Sequence, residues 1–159
     1  LGYVTDSVRK LVRDSGFPGM RVLEFAFDSR DSGCANDYLP HNYEQNCVAY
    51  TGTHDNETIC GWFDSITEEE QKMAREYLWD SRTPKEDLNW VFISLIMRSA
   101  AKVCIIPMQD YLGYGNECRM NKPSTVGMNW KWRLVDGELT EELKKKLYDM
   151  VRRYGRLAR

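Results

Sequence analysis

At 159 residues, 42% hydrophobic and 12% aromatic, the chain has the size and composition of one globular domain with a real core, which excludes a disordered protein. A formal net charge of −2 gives no electrostatic reason to expect a nucleic-acid partner. The longest apolar run, Val91 to Met97, is far short of the roughly 20 residues that span a bilayer, so no membrane span is expected.

Leu1 is not an initiator methionine and no secretory pattern precedes Gly2, so the chain is expected to be a piece of a longer protein. Val8, Leu11 and Val12 then recur at helical spacing behind Thr5 or Asp6 as a cap, and Gly16 with Pro18 ends this helix near Ser15. The run MRVLEFAF predicts a strand over 20–27, with Leu23, Phe25 and Phe27 on one face and Val22, Glu24 and Ala26 on the other. Glu24 is the odd polar residue there, and its carboxylate is either paired or pocket-facing. Asp28 to Asn46 is a long polar loop, in which His41 and Asn42 either face a ligand or brace the loop.

Cys47 to Thr51 predicts a second, buried strand, with Gly52 turning the chain into Thr53-His54-Asp55-Asn56-Glu57. In a parallel α/β protein the carboxyl ends of strands are where ligands bind, so His54 and Asp55 are candidates for chemistry. The alternative is an ordinary loop with Asp55 as N-cap of a turn near Glu57 to Gly61. Thr67-x-x-Glu70 is a capping box for a helix to about Leu78, with Met73, Tyr77 and Leu78 as its buried stripe. Thr83, Pro84 and Glu86 signal the next start, opening a helix whose core face carries Leu88, Val91, Phe92, Leu95, Ile96 and Ser99.

Val103 to Ile106 predicts a third buried strand, stopped at Pro107, with Met108, Gln109 and Asp110 at its carboxyl end. Gly113 to Arg133 lacks periodicity. Its Trp130 and Trp132 beside Asn and Arg donors suit the stacking and hydrogen bonding of a sugar, or else cover core. Thr140 caps the last helix, with Leu143, Leu147, Val151 and Tyr154 inward and Gly155 past its end. The basic residues near its end, including Arg152 and Arg153, read as a solvated helix face, with Glu141 and Glu142 at the other pole matching the macrodipole.

Five scattered cysteines without C-x-x-C spacing read as reduced thiols of a cytoplasmic protein. A metal site would have to recruit both histidines, His41 and His54, across a loop, so neither metal nor other cofactor is expected. Three parallel strands alternating with helices give an α/β fold. They are too few to close a barrel and leave apolar edges, so the chain reads as part of a (β/α)8 barrel, with strands near 20–27, 47–51 and 103–106.

PGMRVLEFAF, LPHNY, YTGTHDNET, PMQDYLG, RMN-x-P and NWKWR, in this order, resemble the C-terminal part of the 4-α-glucanotransferase (amylomaltase, disproportionating enzyme) family. The resemblance runs over essentially the whole chain, 1–159, as the C-terminal fragment of one catalytic barrel of the α-amylase clan. It implies retaining transfer of α-1,4-glucan segments between maltooligosaccharide donors and acceptors by double displacement. It implies that Asp55, after strand seven, is the third catalytic acid, the transition-state stabiliser, with His54 beside it on the sugar. Asn56, Gln109, Asn121 and Trp130 complete the implied substrate-binding set.

In the family a nucleophilic Asp follows strand four and an acid/base Glu follows strand five in an Ala-Glu-Asp-Leu-Gly type motif. Leu1-Gly2 looks like the tail of that motif, which puts both other acids upstream and leaves the isolated fragment inactive. Such chemistry uses two carboxyl groups about 5 Å apart around an oxocarbenium-like transition state, with hydrogen bonds to the sugar that tighten there. Ser124 departs from the family by standing where many members have Gly. The other function class is a non-catalytic glucan-binding or scaffold domain of the same fold.

Overall fold

The computed structural model describes residues 5–28 and 37–157. Leu1, Gly2, Cys34 and the middle of the long loop lie outside them. Strands β1 (Gly19–Val22), β2 (Cys47–Tyr50) and β3 (Val103–Ile105) form one parallel sheet in the order β1-β2-β3. Gly19 pairs with Cys47 and Val22 with Tyr50, while Val48 pairs with Val103 and Tyr50 with Ile105. All three strands therefore end on one side of the sheet. That side carries the polar residues.

Helix α1 (Asp6–Ser15) starts at Thr5, whose hydroxyl accepts from the Val8 amide, and stops at Gly16 in the left-handed region with φ 71°. Its apolar stripe stays open, with Leu11 68% exposed. β1 is shorter than the alternation predicts. It ends at Val22 because its partner β2 ends at Tyr50, and the chain tightens into a 3-10 turn over Leu23–Ala26, held by the Glu24 amide donating to Thr51 O at 3.2 Å. The turn also breaks the predicted faces, burying Leu23, Glu24 and Ala26 together and leaving Phe25 exposed.

Helix α2 (Ile59–Ser65) is capped by Thr58, whose hydroxyl accepts from Gly61 N at 3.1 Å. Asp55 is therefore not a helix cap. Helix α3 (Glu68–Leu78) has the predicted capping box, the Glu70 carboxylate returning to Thr67 N at 2.9 Å. Thr83 does not cap the next helix. Asp80 collects the Arg82 amide and the Thr83 amide and hydroxyl into its own turn, and α4 (Leu88–Met97) begins only after a 3-10 turn over Lys85–Asp87.

α4 is buried on nearly every side, Asn89, Ile93 and Met97 included, where the spacing predicts a single face. Phe92 lies 5.6 Å from Trp62 and 5.8 Å from Phe63 between ring centroids, and Phe27 adds to this cluster from behind β1. Burying side chains of this size contributes roughly 1.5–3 kcal/mol each, which makes this layer the anchor of the sheet. β3, predicted buried, shows Val103 and Ile105 nearly half exposed, because it is the sheet's edge and no described element covers that face.

After the short helix α5 (Met108–Tyr111), the chain reaches α6 (Glu141–Arg153), capped by Thr140 as predicted. Beyond it Arg156 donates to the carbonyls of Met97, Ser99 and Ala101, tying the C-terminus to α4. His41 braces its loop, with Nδ1 2.9 Å from the Tyr77 hydroxyl. Cys47, Cys60, Cys104 and Cys118 are free thiols. Among the described residues no helix is long and apolar enough to cross a membrane.

Candidate active site

Two strand-end loops meet over the sheet. The first leaves β2 at Thr51 and carries His54 and Asp55. The second follows α5 and carries Arg119, Asn121 and Trp130. The joints between them are specific. Asn121 N donates to His54 O at 3.0 Å, and Arg119 Nη2 donates to Asp55 O at 2.7 Å. Two exposed loops are thereby fixed to each other through the backbone carbonyls of His54 and Asp55, at the point where ligands bind in parallel sheets.

Within this frame the Asp55 carboxylate is half exposed. Its Oδ1 accepts from Asn121 Nδ2 at 2.6 Å and lies 3.4 Å from His54 Nε2. An acid with one oxygen oriented and its surface open to the cleft is ready to accept hydrogen bonds from a ligand's hydroxyl groups. His54 stacks against Trp130, ring centroids 5.1 Å apart and planes tilted 37°, and Trp130 is 53% exposed. Trp130 holds φ 65°, a left-handed backbone uncommon for a large side chain, with its amide donating to Met120 O at 2.7 Å. Together these leave an aromatic surface beside an oriented carboxylate. Trp132 is half-buried and hydrogen-bonds toward Cys118 instead.

The floor beneath is buried and acidic. Asp110 at the start of α5 is fully buried, accepting from the Thr51 hydroxyl at 2.5 Å and from Ile59 N, the first amide of α2, at 2.8 Å. Burial outweighs these bonds and pushes its carboxyl up to about 6. Glu24 lies beside it, and burial together with the charges of Asp110 and Glu57 holds its carboxyl well above the usual range. Glu57 receives Asn116 Nδ2 at 2.6 Å and the Ser65 hydroxyl at 2.7 Å. Gln109 donates to Cys118 O at 3.2 Å, and with His54, Glu57 and Arg119 lines a cleft of about 220 Å³. Asn56 turns its amide oxygen to Thr53 N and Oγ1 at 3.0 and 2.7 Å. A second groove, about 760 Å³, runs past Glu24, Asp55 and Arg119.

Of the residues nominated from the sequence, His54, Asp55, Asn121 and Trp130 form one exposed cluster, while Asn56 and Gln109 sit in the layer that supports it. Arg119 and Asp110 were not nominated. Arg119 shares the RMN-x-P motif with Asn121, which is the signal that would have found it. Ser124 adopts φ 62°, a region that favours glycine.

The profile of the 4-alpha-glucanotransferase family matches residues 1–139. The chain belongs to that family. It is 48% identical over 157 residues to the 4-alpha-glucanotransferase of Clostridium butyricum, covering 98% of this chain and 31% of the relative. It is 44% identical over 160 residues to the chloroplastic/amyloplastic 4-alpha-glucanotransferase of Arabidopsis thaliana, covering 99% and 27%. The structure of the amylomaltase from Streptococcus agalactiae in complex with acarbose superposes with a TM-score of 0.90 at 38% identity, over 99% of this chain and 31% of that one. The chain thus spans about a third or less of the proteins it matches, and its three strands with their helices are a portion of the family's α/β barrel.

Proposed function

We propose that this chain is the C-terminal part of the catalytic barrel of a 4-α-glucanotransferase, which transfers α-1,4-glucan segments between maltodextrins by retaining double displacement. The observation that supports this most is the Asp55 carboxylate, held by Asn121 at 2.6 Å beside His54 and the exposed Trp130 at the carboxyl end of β2. Family membership adds to it, as do relatives that bear that activity in their names and a similar fold that carries acarbose, a sugar-like ligand.

In this reading Asp55 accepts hydrogen bonds from the hydroxyls of the sugar being transferred, and these tighten as positive charge develops on the ring. His54 and Asn121 orient that carboxylate and contact the same sugar, and Trp130 offers its face to it. Asn56 and Gln109 complete the binding set from below, each with part of its amide engaged by the loops. The nucleophilic and acid/base carboxyl groups come from the rest of the barrel, so the 159-residue chain alone is expected to transfer no glucan. Free thiols at the four described cysteines suit a reducing compartment, and we place the enzyme in the cytoplasm; relatives named as plastid proteins give the family a second location.

The test is maltotriose supplied to the complete protein. Release of glucose with maltodextrins longer than maltotriose is expected. Glucose and maltose without longer products make the protein a hydrolase, and no turnover makes the domain a binding module; either outcome overturns the proposal.

A further inference from the structure

Glu24 is the least accounted-for polar group in the molecule. It lies in the 3-10 turn after β1, is 8% exposed, and its Oε1 has no hydrogen-bond partner among the described residues. Leaving a polar atom this way costs free energy, so the residue type asks for a reason. The Asn56 side chain faces the carboxyl and favours its charged form, and both crowd the same side of Gly52. Asn56 Oδ1 in turn accepts from the Thr53 hydroxyl at 2.7 Å, and Thr53 Oγ1 accepts from Asp55 N at 3.3 Å. A relay of side chains therefore runs from Glu24 through Asn56 and Thr53 to the backbone of Asp55. Gly52 belongs to the same device, because a Cβ there would fall on Glu24 Oε1 and 3.1 Å from the Asn56 Cβ.

We propose that Glu24 is a positioning residue for the transfer reaction, fixing the 51–56 loop through Asn56 and Thr53 so that the Asp55 carboxylate meets the sugar at the right place. This rests on the reading of Asp55 given above. The groups that face Glu24 are the carboxylates of Asp110 and Glu57 and the guanidinium of Arg119. Burial and the two carboxylates hold the Glu24 carboxyl well above the usual carboxylate range, against the pull of Asn56 and Arg119. Glutamine keeps the size of the side chain and an oxygen for the relay while removing any charge. Misplacing a catalytic group by about 1 Å can cost about 10²-fold in rate, so a relay of this kind has room to matter.

The experiment uses the complete enzyme with Glu24→Gln, Glu24→Ala, Asn56→Ala and Asp55→Asn, read by maltotriose kinetics and by hydrogen exchange of the peptide spanning residues 51–58. Glu24→Gln should keep kcat within about threefold of wild type and leave exchange unchanged. Glu24→Ala and Asn56→Ala should each lower kcat about tenfold or more with faster exchange in that peptide, and Glu24→Ala, which touches no sugar, should keep KM within about threefold. Should Glu24→Ala fail to fold, Asn56→Ala, which cuts the relay with Glu24 in place, decides the matter by its exchange, since its kinetics also carry the loss of a sugar contact. Unchanged exchange, or unchanged kcat while Asp55→Asn is impaired, overturns the proposal alone. Equal damage in Glu24→Gln and Glu24→Ala also overturns it, since the charge would then be what matters. Near-normal kcat in Asp55→Asn overturns the underlying reading instead.

Discussion

Replacing Asp55 by Asn keeps the shape of the side chain and removes its charge. The amide oxygen can still accept from Asn121 Nδ2, now 2.6 Å from Oδ1, and neither helix start depends on the residue, because Thr58 caps α2. The fold should barely notice. The half-exposed contact with His54 Nε2, 3.4 Å away, contributes about 1 kcal/mol at most. The transition state is different. A carboxylate about 5 Å from a developing unit charge, at an effective dielectric constant of about 20, is worth roughly 3 kcal/mol, and each 1.36 kcal/mol is about tenfold in rate. Asp55→Asn in the complete enzyme should therefore lower kcat by about 10²-fold or more with little change in Tm. The assay is initial-rate maltotriose disproportionation, with thermal unfolding of the same preparation. A kcat within about threefold of wild type would remove Asp55 from the mechanism.

Trp130→Ala in the complete enzyme should raise KM for long maltodextrins about tenfold with little loss of stability, while Trp132→Ala should lower Tm more than it changes KM; steady-state kinetics and thermal unfolding of both variants check this, and the reverse pattern refutes it. Asp110, raised to about 6 by burial, keeps its proton in the folded state where the unfolded chain has lost it. Its contribution to stability is therefore full below about pH 4 and falls as pH rises through about 6, by on the order of 2–3 kcal/mol, and Asp110→Asn should remove that part of the slope in denaturant titrations. Asp110→Ala should destabilise by about 2–4 kcal/mol below about pH 4, because it strands the Thr51 hydroxyl and the Ile59 amide, and by less as pH rises through about 6. Gly52→Ala should cost about 2 kcal/mol or more, and Glu24→Ala in the same chain should recover part of it, since the added methyl meets Glu24 first; independent, additive losses would refute the contact.

What the sequence makes legible follows from how far apart the interacting residues lie. Thr67 with Glu70, Thr140 with Leu143 and Thr5 with Val8 are local pairs, and each cap is where its spacing predicts. The strand-end placement of His54 and Asp55 is legible for the same reason, because Gly52 follows directly on an apolar run. Thr83 misleads because a second local acceptor, Asp80, takes its hydroxyl first. The length of β1 is a non-local matter. Alternation continues through Phe27, but a parallel strand lasts only as long as its partner, and β2 ends at Tyr50. The contacts that build the site are more distant still, Asn121 lying 66 positions from Asp55 and Asp110 lying 59 from Thr51. No spacing rule reaches that far. The motifs carried it instead, since they place Asn121 and Asp55 in one family pattern without saying how they touch.

The site divides into two layers with different physics. The upper one, His54, Asp55, Asn121 and Trp130, is open to water and joined by bonds between exposed groups, each worth little alone. The lower one, Glu24, Thr51 and Asp110, is buried, and burial pushes both of its carboxyls above their usual range. A purely apolar floor would bury more comfortably, but it could not take up the orphan amide of α2 or the side chain of Asn56. The polar floor thus costs stability and returns geometry, because the Asp110 carboxylate is bonded by Thr51, at the root of the loop that carries Asp55, and by Ile59 of the helix that follows. Loss of a floor residue should therefore register in kcat through the position of Asp55, whereas loss of an upper residue should register in the contact with the sugar itself.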